Sequence, residues 1–165
     1  MQIGLLSDTH SFLNPKIFHY FQDCDEIWHA GDIGNPAVAE KLSAFKPFRA
    51  VYGNIDSHEL RLSYPENLFF EVGGVHVLIT HIGGYPNKYP ARIRQLLTIN
   101  KPDLFICGHS HNLKIMPDHQ YNLLHINPGA AGKEGFHKVS TLVKFQINEA
   151  KKCVENVCVI ELIDK

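Results

Sequence analysis

The chain reads as an α/β protein of two packed mixed β-sheets flanked by helices, an αββα sandwich, and three observations predict it. Short apolar runs alternate with helix starts through the first third, the rhythm of βαβ units. A Gly73-Gly74 pair then separates two strand-like runs, as in a hairpin. From residue 103 to the end most apolar runs follow one another across turn residues alone, a meander that a purely doubly wound sheet would not need. With 165 residues, 44% of them hydrophobic, a single domain spanning 1–165 is expected to bury a sizeable core.

Residues 3–7 form the first expected strand. Asn14-Pro15 then opens a helix, with Asn as N-cap and Pro at the first helical position, where its preset φ fits and its missing N–H is not needed. Ile17, Phe18 and Phe21 give that helix an apolar side. Residues 26–29 are a short strand ending at Gly31-Asp32, and Asn35-Pro36 repeats the capping device for a helix to about Phe45. Residues 48–52 make the third strand, ending at Gly53-Asn54. In the second half the hairpin joins 68–72 to 75–80, residues 89–99 read as a helix, and 103–107 as a strand. The meander comprises 113–116, 121–126, 140–147 and 153–162, with Pro117-Asp118 and residues 148–151 as turns. Residues 129–135, with three glycines, are the pliable loop.

Composition narrows the function classes. A net charge of −1, from 16 basic and 17 acidic residues, offers no general attraction for nucleic acid, so phosphate recognition has to be local and no nucleic-acid partner is expected. The opening residues lack the basic and apolar regions of a secretory leader, and no run of about 18 apolar residues follows, so no membrane association is expected. Cys24, Cys107, Cys153 and Cys158 form no CxxC pair. A reducing, cytoplasmic setting fits, and Cys153 and Cys158 read as packing residues on opposite faces of one strand. Self-association into a homo-oligomer is an open expectation.

Seven donors punctuate this framework: Asp8-x-His10, Asp32, Asn54, His81, and His109-x-His111, nearly all just after an apolar run. If the strands share one rim, as βαβ construction requires, these residues converge although they lie far apart in sequence. Carboxylate, amide oxygen and imidazole without thiolate are donors that divalent transition ions accept. Any one Gly-Asp or Gly-Asn pair is ordinary turn chemistry; the ordered set is not.

The order Asp-x-His, Gly-Asp, Gly-Asn, His, Gly-His-x-His resembles the signature of the calcineurin-like metallophosphoesterase superfamily. Asn127-Pro128-Gly129 is further similar to its small single-domain phosphodiesterase branch, a relative of the retromer scaffold subunit. The resemblance implies the sandwich fold of that superfamily and two metal ions. Asp8, His10, Asp32 and His111 would hold one, and Asp32, Asn54, His81 and His109 the other, with Asp32 bridging. Such ions, about 3.5–4 Å apart, pin a hydroxide nucleophile and phosphoryl oxygens. Catalysis would then fall chiefly to Asp32, Asn54 and His81 on a phosphoester or nucleotide-like substrate. Manganese is the first expectation for the metal, with iron, nickel, cobalt or zinc also compatible.

One position departs from the pattern. Many family members follow the asparagine with a histidine that helps the leaving group depart; here Ile55 stands, and it has no proton to give. This favours diesters with good leaving groups. Asp56, His58, His29, His125 and His137 are the candidates for a replacement donor or for supporting the ligands, and Thr9 for a supporting hydrogen bond. His19, His76 and His119 read as surface residues. Tyr85, Arg92, Arg94 and Lys133 are candidates to meet the rest of the substrate. The rival expectation is a non-catalytic, metal-binding protein-interaction scaffold of the same fold.

Overall fold

The computed structural model describes residues 1–163. Its elements in chain order are β1 (Gln2–Leu6), α1 (Lys16–Tyr20), β2 (Glu26–His29), α2 (Pro36–Phe45), β3 (Phe48–Ala50), α3 (His58–Ser63), β4 (Asn67–Val72), β5 (Val75–Thr80), α4 (Ala91–Asn100), β6 (Leu104–Ile106), β7 (Lys114–Asp118), β8 (Leu123–Asn127), β9 (Ser140–Asn148) and β10 (Cys153–Leu162). They form two five-stranded sheets, ordered β10-β9-β1-β2-β3 and β4-β5-β6-β8-β7. Parallel strands β1, β2 and β3 form one side of the first sheet, and parallel β5, β6 and β8 the middle of the second. The remaining pairings are antiparallel. Among the described residues no helix is long and apolar enough to cross a membrane.

The period-two alternation of side chains sorts residues between three apolar layers. Ile3 and Leu5 of β1, Trp28 of β2, Val77 and Ile79 of β5, Ile106 of β6 and Phe145 of β9 point between the sheets. Trp28 is fully buried there, edge-on to Phe70 at 5.1 Å and Phe145 at 5.6 Å, and its indole N–H donates to Glu26. Leu6 and Ile27 face the other way, under Ile17 and Phe21 beside α1 and Leu42 of α2. On the second sheet Leu78, Phe105 and Leu123 face outward, under Ile93 and Leu97 of α4. The result is the expected helix, sheet, sheet, helix layering.

Local signals explain most boundaries. Asn35 caps α2 by accepting from Val38 N, with Pro36 at the first position. Asn14 accepts from Lys16 N, so α1 begins one residue later than the Asn-Pro pair predicts. Gly73 and Gly74 both have positive φ, +56° and +76°, which the tight β4–β5 turn requires.

Four expectations are corrected. The short helix α3 was not anticipated, although Ser57 caps it by accepting from Leu60 N. Pro117 and Asp118 end β7 rather than making a turn; Pro117 is exposed there. The expected meander splits, because β7 and β8 complete the second sheet while β9 and β10 return to the first. Cys158 is exposed, because a register shift between Glu155 and Cys158 breaks the face alternation of β10; Cys153 is half-buried.

Candidate metal centre

All seven predicted donors follow strands that end at one rim. Asp8 and His10 follow β1, Asp32 follows β2, and Asn54 follows β3; His81 follows β5, and His109 and His111 follow β6. Two groups of side chains converge with ligand atoms within 4.8 Å of one another: Asp8, His10 and His111, and Asp32, His81 and His109. Each group draws on both sheets.

Asp32 links the two groups. Its Oδ2 lies 3.6 Å from His10 Nε2 and 3.2 Å from His81 Nε2. Asn54 Oδ1 is 3.1 Å from the same His81 nitrogen. Asp8 Oδ1 lies 3.2 Å from His111 Nε2, and His10 Nε2 is 3.3 Å from His111 Nε2. The His81 tautomer follows from its other contact, since Nδ1 donates to the Ala30 carbonyl at 2.8 Å and leaves Nε2 facing the carboxylates.

The backbone is bent to make this possible. Asp8, His10, Asp32, His109 and His111 all have φ between +45° and +68°, a left-handed conformation that costs a non-glycine residue free energy and concentrates at functional sites. Gly108 and Gly53 permit close approach, because a Cβ at Gly108 would overlap Ser7 Oγ and press on Asp8 Oδ2, and one at Gly53 would overlap Asp32 Oδ1.

These donors fit divalent cations. Asp8 Oδ1 is buried and receives no well-formed hydrogen bond, its nearest polar neighbour being the His111 imidazole at 3.2 Å, a costly state for an anionic oxygen and one that a cation relieves. Without a cation, protons take part of that role. His111 has its pKa raised by the hydrogen bond to Asp8, which outweighs burial. Burial opposes protonation of His81, but the Asp32 hydrogen bond and the Asp8 and Asp32 charges raise its pKa overall. Burial likewise opposes ionisation of Asp32, yet His81 brings its pKa below the usual value.

The residues expected to support the ligands divide sharply. His29 is fully buried at the end of β2, where burial lowers its pKa to about 4. Gly31 N donates to its Nδ1, so Nε2 carries the hydrogen and meets Thr9 Oγ1 at 3.0 Å; that hydroxyl donates onward to the Ile33 carbonyl at 2.9 Å. Neutral His29 and Thr9 thus tie the Asp8 loop to the Asp32 loop. His137 donates to the Gly132 carbonyl and brings its ring 5.3 Å from that of His111.

Asp56 takes the supporting role of its two expected ones, and His58 and His125 lie away from the donors. Asp56 is buried and accepts from Gly34 N at 2.7 Å and Gly53 N at 2.8 Å; both oxygens are committed to holding loops, which leaves no proton donor there. His58 is exposed at the first position of α3, and among the described residues its side chain has no hydrogen bond or ion pair. His125 faces outward beneath α4, near Tyr89 Oη at 3.2 Å and Cys107 Sγ at 3.9 Å, because its neighbours Leu124 and Ile126 face the inter-sheet core. Of the proposed substrate contacts, Arg92 lines a cleft beside Asn54 and His81. Arg94 turns back to the Tyr89 carbonyl, Tyr85 lies under Lys114, and Lys133 stands over the Phe12 ring.

Two supporting residues had not been singled out for these roles. Glu134, in the glycine-rich loop, puts a carboxylate oxygen 3.4 Å from His10 Nδ1, the nitrogen that faces away from the donors. Asn127 donates to the Gly108 carbonyl and Ser110 Oγ and accepts from Gly129 N, holding the loop that carries His109 and His111. No sequence signal marks Glu134; for Asn127 the Asn-Pro-Gly turn was the available one.

A sandwich with such donors at the strand ends has the build of a metallophosphoesterase. The chain belongs to the calcineurin-like phosphoesterase superfamily, whose domain model matches residues 1–150. A protein of Methanothermobacter thermautotrophicus described as a probable metallophosphoesterase is 33% identical over 135 residues, which cover 79% of this chain and 77% of the relative. Among solved structures, an archaeal phosphodiesterase superposes with a TM-score of 0.75 at 23% identity, covering 98% of this chain and 100% of that one. Vps29 of Entamoeba histolytica, complexed with zinc, gives 0.72 at 16% identity, covering 98% and 99%. The structural likenesses establish the shared fold.

Proposed function

We propose that the protein is a two-metal phosphodiesterase. The observation that carries the reading is Asp32 Oδ2 facing His10 and His81 at once, between two donor groups that each include a buried carboxylate. Two divalent ions, when bound, supply Lewis acidity toward a phosphoryl oxygen and activate water at neutral pH. Asp8, His10 and His111 would hold one ion, Asn54, His81 and His109 the other, and Asp32 both.

The chain's own residues do the rest. His81 is held in one tautomer by Ala30, and Asp32 is fixed by Ile55 N, which donates to Oδ1 at 3.1 Å. His29 and Thr9 keep the first two ligand loops in register. Manganese is the first choice of ion, with iron, nickel, cobalt and zinc admitted by the same donors. Diesters are favoured over monoesters because Ile55 leaves no side-chain acid at the place where the family resemblance puts one, and the fold shared with the archaeal phosphodiesterase agrees. A phosphoester or nucleotide-like small molecule is the proposed substrate.

The scaffold reading shares the metal site, so metal binding alone does not separate the two; turnover does. Metal-loaded protein is assayed on chromogenic diesters and monoesters beside Asp32→Ala and His81→Ala, with metal content measured in each. Faster diester cleavage that both variants abolish is expected. Full metal occupancy without turnover of either ester would overturn the enzyme reading in favour of the scaffold.

A further inference from the structure

A cleft of about 190 Å³ opens beside the second donor group, lined by Tyr52, Asn54, Arg61, His81, Ile82 and Arg92. Its two guanidinium groups are in different states. Arg92 is neutralised, pairing with Glu66 at 3.0 Å and donating to Asn67 Oδ1 at 3.2 Å. Arg61 has no carboxylate partner among the described residues. Its Nε donates to the Asp56 carbonyl and its Nη2 to the Asn54 carbonyl, each at 2.9 Å, and the guanidinium lies 4.9 Å from the Tyr52 ring centre. Two of its five N–H groups are thus used, both on neutral oxygens, and the charge is held rigidly but not compensated.

The location matters as much as the charge. The two carbonyls that hold Arg61 belong to the residues on either side of Ile55, whose exposed side chain can stabilise no developing charge. One of them, Asn54, is also a proposed ligand. The cleft next to the segment where a proton donor is missing therefore carries a fixed cation, and Ile82, 41% exposed, gives the cleft an apolar face.

We propose that this cleft receives the departing alcohol of a phosphodiester and that Arg61 is a further catalytic residue, hydrogen-bonding the leaving oxygen as charge develops on it. The proposal rests on the phosphodiesterase reading above. In the step, a water oxygen forms a new bond to phosphorus and its proton passes to solvent. The bond from phosphorus to the ester oxygen breaks, the electron pair stays on that oxygen, and solvent supplies its proton. Arg61 keeps its own protons throughout, so it stabilises charge and is not a general acid. The size and lining of the cleft fit an alcohol carrying one ring.

The test compares wild type, Arg61→Met and Arg61→Lys on phosphodiesters whose leaving phenols or alcohols span a range of acidity, with metal content measured in each. Arg61→Met is expected to lose about 10²-fold in kcat on poor leaving groups and far less on nitrophenyl esters, steepening the dependence on leaving-group acidity. Added guanidinium ion should restore part of that loss, and Arg61→Lys should fall between. Calorimetric binding of 4-nitrophenolate, which carries the charged leaving oxygen itself, should weaken about tenfold in Arg61→Met. An equal loss across all leaving groups in both variants, or no loss, overturns the role of Arg61 while leaving the phosphodiesterase reading intact. If wild type cleaves no diester, the underlying reading fails and this proposal falls with it.

Discussion

Replacing Asp56 separates a loop clamp from a proton donor. Its carboxylate is 4% exposed and accepts two backbone N–H groups, Gly34 N at 2.7 Å and Gly53 N at 2.8 Å. A hydrogen bond to a charged group contributes about 1.5–3 kcal/mol, so losing both sets an upper range near 3–6 kcal/mol. Water entering the space left by the carboxylate recovers part of this, which gives an expected cost of about 3–4 kcal/mol for Asp56→Ala. Asp56→Asn keeps one acceptor oxygen and turns an amide toward the other N–H, for about 1.5–3 kcal/mol. Urea unfolding of the metal-free variants, followed by circular dichroism, measures both. The kcat dependence on leaving-group acidity, taken on metal-loaded protein, should keep its slope. A cost below about 1 kcal/mol for the alanine variant, or a steeper slope with unchanged stability, would refute the clamp.

Three other outcomes follow from the same structure. The pKa values of His81 and His111 are raised in the metal-free fold, so their contribution to stability is complete below about pH 6.5 and is lost as pH rises through the folded values. Thermal unfolding of metal-free protein should therefore occur at lower temperature at pH 9 than at pH 6, and saturating manganese should remove or reverse that trend because ligands bind deprotonated; a higher midpoint at pH 9 without metal would contradict it. His29, its pKa pushed down to about 4 by burial, should stay neutral in imidazole nitrogen NMR through pH 5, and titration near 6.5 would show that it is not sealed from water. Ellman's reagent should modify exposed Cys158 first and Cys153 more slowly. Cys24 and Cys107, both buried and with thiol pKa values raised to about 11 and about 12, should react only on unfolding.

The ligand series was legible because each donor directly follows a strand or its turn, and apolar runs with glycine or asparagine after them are visible without coordinates. Helix α2 was legible through Asn35-Pro36. Helix α3 was not, since six residues carry too little periodicity and only Ser57 announces it. His125, a candidate to support the ligands, lies in the outer layer instead, and the sequence hides this because residues 123–126 are apolar on both faces but for this histidine, so alternation alone does not say which face meets the other sheet. The register shift before Cys158 has only Asn156, at φ +55°, to announce it, and Glu134 meets His10 only because a loop folds back across more than a hundred residues. Asp56 was noticed as a titratable group near Asn54; its work as an acceptor depends on where Gly34 lies.

Both donor groups take residues from both sheets, and the chain builds those sheets in an unusual order, first sheet, second sheet, then first again. All seven donors are synthesised before β9 finds its place beside β1. Neither sheet alone presents a complete set, so a nascent or partly unfolded chain would hold an ion less tightly than the docked sheets do. Metal uptake is therefore a report that the two halves have docked. Hydrogen exchange should slow on loading at the loops after β1, β2, β5 and β6, far more than at the outer strands β4 and β10.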